Sequence, residues 1–246
     1  MKILITGASS GIGMAMAKLL YKDNEIIAVA RSKEKLDILE KTTGCVTEVC
    51  DVSDFSQCRK LFEKYTDIDV LINNAGFGDL GYLNDTDLDK GINMINTNVT
   101  GLHALTKMYL DVMVKRNSGY ILNVSSIASF FPGPLMATYY ATKAYVTHLS
   151  KAISYELKKQ KSNVYIGVLC PGPVDTNFNK VANCKFNLKS QTAEKVAMVA
   201  IKNMFKRKTV ICTSFGVKLA RIGSKILPDS ILMKFAYMSQ RKKYYK

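Results

Sequence analysis

Apolar residues in this chain come in short, nearly unbroken runs, and between the runs hydrophobicity returns every three to four positions. The runs are Lys2–Thr6 (KILIT), Glu25–Ala30 (EIIAVA), Cys45–Cys50 (CVTEVC), Ile68–Asn73 (IDVLIN), Gly119–Ser125 (GYILNVS) and Val164–Cys170 (VYIGVLC). A last one, Lys206–Thr213 (KRKTVICT), closes the series. Runs rich in Val, Ile and Leu that do not alternate with polar residues predict strands covered on both faces, as in a parallel sheet. Helical periodicity fills the gaps at Gly11–Lys22, Lys33–Lys41, Phe55–Tyr65, Asp87–Arg116, Thr138–Lys159 and Ala193–Phe205. This alternation predicts right-handed βαβ crossovers, hence an α/β, doubly wound parallel sheet of about seven strands with helices on both faces. No linker, repeat or low-complexity stretch interrupts it, so residues 1–213 read as one domain.

Beyond residue 213 the pattern changes. Phe215–Lys246 reads as two amphipathic helices divided at Pro228, with Asp229 or Ser230 able to cap the second. On the first, Lys218, Arg221 and Lys225 form a basic stripe, while Val217, Leu219, Ala220, Ile222, Ile226 and Leu227 fill the rest. On the second, Ile231, Phe235 and Met238 lie together, with Lys234 and Arg241 on another side. Residues 214–246 are therefore expected to be a basic helical extension packed on the same domain, or on a sister subunit, beside a substrate cleft. The competing reading of a basic amphipathic helix is contact with an anionic bilayer.

Composition sharpens that contrast. The chain carries 35 Lys+Arg against 20 Asp+Glu, a net charge of +15. Eleven of the basic residues but a single acid, Asp229, lie between Lys206 and Lys246, so two thirds of the excess sits in the last sixth of the chain. No recognition module and no aromatic–basic interleaving accompanies the charge, and no nucleic-acid partner is expected. No run of about 18 apolar residues occurs, so no spanning helix is predicted. Lys2 leads straight into a strand, which leaves no room for a signal peptide. The expected location is cytoplasmic, with a peripheral seat at the inner face of a membrane as the option the extension raises. Cys45, Cys50, Cys58, Cys170, Cys184 and Cys212 show no zinc-like spacing and read as reduced thiols. His103 and His148 have no local metal partner, and no metal is expected.

Chemistry enters at the ends of the strands. Thr6–Gly13 (TGASSGIG) joins the first strand to the first helix. Gly7, Gly11 and Gly13 leave room for a pyrophosphate, Ser9, Ser10 and Ile12 stand between them, and the helix start directs its N–H groups at the same place. A glycine loop in the first βα unit predicts a Rossmann-like dinucleotide site. The second strand ends in Ala30-Arg31-Ser32-Lys33, without the acid that an NAD site places there. A guanidinium can pair with a 2′-phosphate, and Lys33 adds charge beside it, so NADP(H) is expected, with NAD(H) as the alternative.

Tyr139 and Lys143, in YYATK, project from one helical face one turn apart. An ammonium at that distance stabilises a phenolate, and a poised phenol can give a proton to a carbonyl oxygen or take one from an alcohol. Tyr140 has Ala144 at the same offset and is the weaker candidate.

Taken in order, these motifs resemble the short-chain dehydrogenase/reductase family over about residues 1–180, and more loosely to about 213. Thr6–Gly13 is similar to the family's cofactor loop. Asp51 and Val52 resemble its adenine-contacting pair. Asn73-Asn74-Ala75-Gly76 is similar to its sheet-stabilising, cofactor-lining turn. Asn98 resembles the Asn that supports the catalytic Lys through a water. Ser126, 13 residues before Tyr139, has the offset of the catalytic Ser, and its neighbour Ser125 does not. Pro171-Gly172, with Val174 and Thr176 after it, resembles the turn beside the nicotinamide. The resemblance implies that Tyr139 is the acid/base, that Lys143 supports it and holds the nicotinamide ribose, that Ser126 bonds the substrate oxygen, and that Asn98 positions the proton relay.

It also implies hydride transfer between the cofactor and a small carbonyl or alcohol substrate. Residues 177–190 occupy the family's substrate-lid position, where Phe178, Val181, Phe186 and Leu188 would favour a hydrophobic substrate. Many relatives end in a Gly-rich strand segment that builds a tetramer; this chain lacks it, and a homodimer is expected. The alternative on the same fold is a catalytically silent dinucleotide-binding regulator. Its usual sign is a lost Tyr, Lys or Ser, and all three are present here.

Overall fold

A computed structural model describes residues 1–182 and 190–244. Strands β1 (Lys2–Thr6), β2 (Glu25–Ala30), β3 (Val46–Val49), β4 (Val70–Asn73), β5 (Tyr120–Val124) and β6 (Tyr165–Cys170) follow the predicted runs, with two short strands, β7 (Val174–Asp175) and β8 (Gln191–Thr192), before β9 (Val210–Cys212). Seven of them form one sheet in the order β3-β2-β1-β4-β5-β6-β9, every neighbouring pair parallel. β7 and β8 pair separately and have no counterpart in the apolar pattern, because two residues carry no period.

Helices cover both faces. Alternate strand residues belong to opposite sides: Ile3 and Ile5 pack with Met16 of α1 (Gly11–Leu20), Leu36 of α2 (Lys33–Thr43) and, later in the chain, Val196 of α8. Leu4 packs with Leu61 of α3 (Phe55–Lys64) and, further on, with Tyr109 of α5 and Leu157 of α6. Ile3 to Ile5 of β1, Val70 to Ile72 of β4 and Ile166 to Cys170 of β6 are buried on both faces, which is why those runs are continuous rather than alternating, while the edge strand β3 leaves Val46 and Val49 exposed.

The long helical stretch divides. It runs as α4 (Leu88–Ile95), a π-helical turn (Asn96–Gly101) and α5 (Leu102–Lys115). A π-turn adds a residue to the helical ladder and so shifts the faces that follow. The remaining helices are α6 (Ala137–Lys159), the short α7 (Phe178–Val181), α8 (Ala193–Phe205), α9 (Phe215–Gly223) and α10 (Asp229–Tyr244).

The C-terminal helices lie against the carboxyl ends of the strands. Ser214 caps α9, its side chain accepting from the Val217 N–H at 3.3 Å, and Val217 is buried beside Gly172. α10 starts directly after Pro228 and buries Leu232, Ala236 and Gln240. Its Tyr237 hydroxyl lies 2.9 Å from that of Tyr82, and Gln240 Nε2 donates to the Tyr140 hydroxyl at 2.8 Å. Tyr237 and Tyr244 are partly buried against the cluster that holds Tyr139 and Tyr140. Of the apolar side chains expected to fill the first helix, Leu219, Ile222, Ile226 and Leu227 stay exposed.

Candidate functional site

The sheet reverses its winding between β1 and β4, and the crevice at such a point is where doubly wound sheets bind ligands. Side chains brace this seam. Thr6 Oγ1 accepts from the backbone N–H groups of Asn74 (3.0 Å) and Ala75 (3.1 Å), and Asn74 Nδ2 donates to the carbonyls of Thr6 (3.0 Å) and Gly7 (3.1 Å). The glycine loop and the NNAG turn are thereby held as one unit. Above them opens a continuous cavity of about 600 Å³, within the range of small-molecule and cofactor sites.

At one end the cavity is shaped for a charged, extended ligand. Gly7 and Gly11 have φ of +65° and +54°, a region that side chains disfavour, and a Cβ on Gly11 would come within 3.0 Å of Thr176 Cγ2. Ser9, Ser10 and Ile12 line the same wall at the start of α1, where unpaired helix N–H groups favour an anion. Arg31, at the end of β2, lies 3.8 Å from Asp51, whose carboxylate also accepts from the Ser53 backbone N–H (3.0 Å) and hydroxyl (2.8 Å). Val52, Asn74, Ala75 and Gly76 complete this half. Lys33, expected beside Arg31, does not line the cavity; Lys35 does, because α2 turns residue 35 rather than residue 33 toward it.

The middle of the cavity gathers the candidate proton-transfer groups. Tyr139 and Lys143 lie on α6, with the Lys143 ammonium 5.9 Å from the Tyr139 ring centre. Lys143 is 4% exposed and donates to the Val124 carbonyl at 2.9 Å. Burial pushes its amine down to about 8 from an ordinary 10.5. Ser126 follows the end of β5; its hydroxyl oxygen accepts from the Ala128 N–H at 3.1 Å, so its O–H can still donate. Ser125 is spent on structure, donating to the Lys143 carbonyl (2.8 Å) and accepting from the Thr147 hydroxyl (2.8 Å). Tyr140 is tied to Gln240, and burial raises its phenol's pKa. Pro171, Gly172, Val174 and Thr176 line the cavity too, Thr176 against Gly11 of the glycine loop.

Two expected site residues stand behind the wall. Gly13 packs against the loop, where a Cβ would lie 2.5 Å from Asn74 Nδ2. Asn98, fully buried in the π-turn, holds both backbone groups of Phe77: Oδ1 accepts from its N–H at 3.0 Å and Nδ2 donates to its carbonyl at 2.9 Å. Nδ2 also donates to the Thr142 hydroxyl at 3.1 Å. The cavity side of the same turn is Thr97, whose buried hydroxyl has no partner among the described residues. Nothing in the sequence marked Thr97.

The far end is apolar. Phe131, Met136, Phe178 and Val181 line it, with Tyr139 and Phe178 ring centres 5.3 Å apart. Phe186 and Leu188, the other two expected lid residues, lie outside the described residues, as does Cys184. Phe235, Ala236, Ser239 and Gln240 of α10 close this end, a contribution that no motif announced. Among the described residues, no three His, Cys, Asp or Glu side chains form a metal-binding group, and no helix is long and apolar enough to cross a membrane.

Comparison with known proteins agrees with this architecture. The very-long-chain 3-oxoacyl-CoA reductase of Anas platyrhynchos is 34% identical over 199 residues, 75% of this chain and 63% of that protein, so the match spans less than two thirds of it. A 3-oxoacyl-[acyl-carrier-protein] reductase of Rickettsia conorii is 32% identical over 188 residues, 74% of this chain and 76% of the relative. Among solved structures, a short-chain dehydrogenase from Sphingobium yanoikuyae in complex with NADPH superposes with a TM-score of 0.79 at 25% identity, covering 93% of this chain and 97% of the other. The family model described as short chain dehydrogenase matches residues 1–185, the part that holds the glycine loop, the braced seam and the Tyr139–Lys143 pair, and the chain belongs to that family.

Proposed function

We propose that this protein is an oxidoreductase that transfers hydride between NADP(H) and the carbonyl or secondary alcohol of a small, hydrophobic substrate. The observation that carries this reading is the single cavity leading from a glycine-lined, cationic end past Tyr139, Lys143 and Ser126 to an apolar end. The bound cofactor supplies the hydride. The loop residues Gly7 to Gly13 receive its pyrophosphate, and Arg31 with Lys35 meets a 2′-phosphate; NAD(H) would leave both cations without that partner. Asp51 and Val52 flank the adenine, Asn74 to Gly76 the adjoining ribose side, and Pro171, Gly172, Val174 and Thr176 the nicotinamide.

In the reductive direction the Tyr139 hydroxyl gives its proton to the substrate oxygen, and in the oxidative direction it takes one. Lys143 favours the phenolate through its charge and holds the nicotinamide ribose. Ser126 donates a hydrogen bond to the substrate oxygen as negative charge develops there. Asn98 is a positioning residue, acting through Phe77 and Thr142. Residues 1–213 serve as the catalytic unit and 214–246 as a wall of its substrate end. Two relatives whose names describe reduction of 3-oxoacyl thioesters, together with the apolar end of the cavity, support a carbonyl carried on an acyl-like chain.

The test is a screen of hydrophobic and sugar carbonyls following NADPH and NADH oxidation, with Tyr139→Phe as the control. The expected result is turnover of hydrophobic carbonyls with NADPH and a loss of about 100-fold or more in kcat for the variant, with NADPH binding retained. Full activity in Tyr139→Phe on the best substrate would overturn the assignment.

A further inference from the structure

The two C-terminal helices share one layout. Each buries one side, α9 through Val217 and α10 through Leu232, Ala236 and Gln240. Each turns an apolar stripe outward. Phe215, Leu219, Ile222 and Ile226 recur at i, i+4, i+7 and i+11 along α9 and the turn after it, and are 74%, 51%, 56% and 74% exposed. Ile231, Phe235 and Met238 recur at i, i+4 and i+7 on α10, at 41%, 66% and 53%. Scattered apolar residues on a surface need no explanation, but two ordered stripes on neighbouring elements do. Beside each stripe runs a basic one, Lys218 on α9 with Lys225 in the turn after it, and Lys234 with Arg241 on α10. The segment 206–246 holds eleven Lys and Arg against one acid.

We propose that the outward faces of α9 and α10 dock on a bilayer that contains anionic lipid, with the apolar stripes in the headgroup–acyl boundary and the lysines on the headgroups. A buried side, an apolar outer stripe and a cationic flank are the features of a helix that lies in a membrane interface. Charge selects this occupant. A second copy meeting the same face would bring two strongly cationic surfaces together, whereas an anionic leaflet is complementary to them. The docked face borders the cavity at Phe235, which lines the cavity and is also exposed to solvent. The protein would thus sit with the apolar end of its cleft toward the lipid. Binding of this kind depends on the surface alone and not on the chemistry in the cleft.

The test is cosedimentation of the full chain with phosphatidylcholine vesicles and with equimolar phosphatidylcholine–phosphatidylglycerol vesicles, at low and high salt. Two variants accompany it: Leu219→Ser/Ile222→Ser/Ile226→Ser, and Lys218→Gln/Lys225→Gln/Lys234→Gln. The expected result is binding to the anionic vesicles alone, weakened by salt. The lysine variant should lose about 100-fold in partitioning, since three cations near an anionic surface are removed. The serine variant should lose binding while its oligomeric state in size-exclusion chromatography with light scattering and its thermal unfolding stay as in the unaltered chain. Absence of binding to anionic vesicles at low salt overturns the proposal, as does equal binding to phosphatidylcholine. A chain that is oligomeric without lipid, and that the serine substitutions convert to monomer, assigns the face to contact between copies and overturns it equally.

Discussion

Lys143 is an amine held where water scarcely reaches, and that conflict sets two consequences at the scale of single residues. With its amine pushed down to about 8, it loses its charge just above neutrality. kcat/KM for NADPH reports groups on the cofactor-free protein. It is expected to fall as pH rises through about 8, and Lys143→Met should show no such break. Stability follows the same proton. Between about 8 and 10.5 the unfolded chain keeps a proton that the folded one has released, so the cost of the buried ammonium, full below about 8, fades across that window. Urea denaturation across it should show the unaltered chain gaining on Lys143→Met. Arg31 makes a second, independent case. Arg31→Ala should raise KM for NADPH about 10- to 100-fold, the worth of a charged hydrogen bond, and leave KM for NADH nearly unchanged. The 13-residue offset that the family resemblance supplies distinguishes Ser126 from Ser125, and the structure engages the Ser125 hydroxyl with Lys143 and Thr147. Lys35 was not legible, since which helical residue faces a cleft depends on where the helix begins and how it is laid against the sheet.

Among the elements, the π-turn decides most. A pattern with a period near 3.6 cannot register one additional residue, so Asp87–Arg116 reads as a single helix. The turn sets Asn98 against Phe77 and Thr142 while Thr97 faces the cavity. Asn98→Ala would leave the Phe77 N–H and carbonyl without their partner and should cost about 1–3 kcal/mol in stability, read by chemical denaturation. If Asn98 positions the site, kcat should fall more than KM rises. The strands are the opposite case. β1 and β6 are buried on both sides, so burial itself writes their sequence, whereas β7 and β8 are two residues long and leave no trace. The packing of α10 was legible as amphipathicity, but which side chains it sends toward the cleft depends on a docking angle that no local pattern contains.

For the whole molecule, the cavity spans the seam between the β3-β2-β1 half of the sheet and the β4-β5-β6-β9 half. A ligand bridging both halves stabilises only the folded state. At a hundred times its Kd, NADPH should add about 2.7 kcal/mol and raise Tm by about 5–10 °C for a chain of this size. Differential scanning calorimetry with and without cofactor measures it, and Gly11→Ala, with its Cβ against Thr176, should abolish most of the shift. The sheet and its cofactor end were readable at this scale because repeated strand–helix alternation admits few topologies. The net charge was readable in amount and in its concentration over residues 206–246, but which faces of α9 and α10 are covered was not.

The bond between Gln240 and Tyr140 joins residues 100 apart in the chain. Every strand of the main sheet has been synthesised by residue 212, but this contact has to wait for the last helix. A growing or truncated chain that ends between residues 212 and 240 therefore has every strand of the main sheet but not the α10 residues that line the cavity. On the proposed reading, the wall of the substrate end is the last part of the site this polypeptide completes.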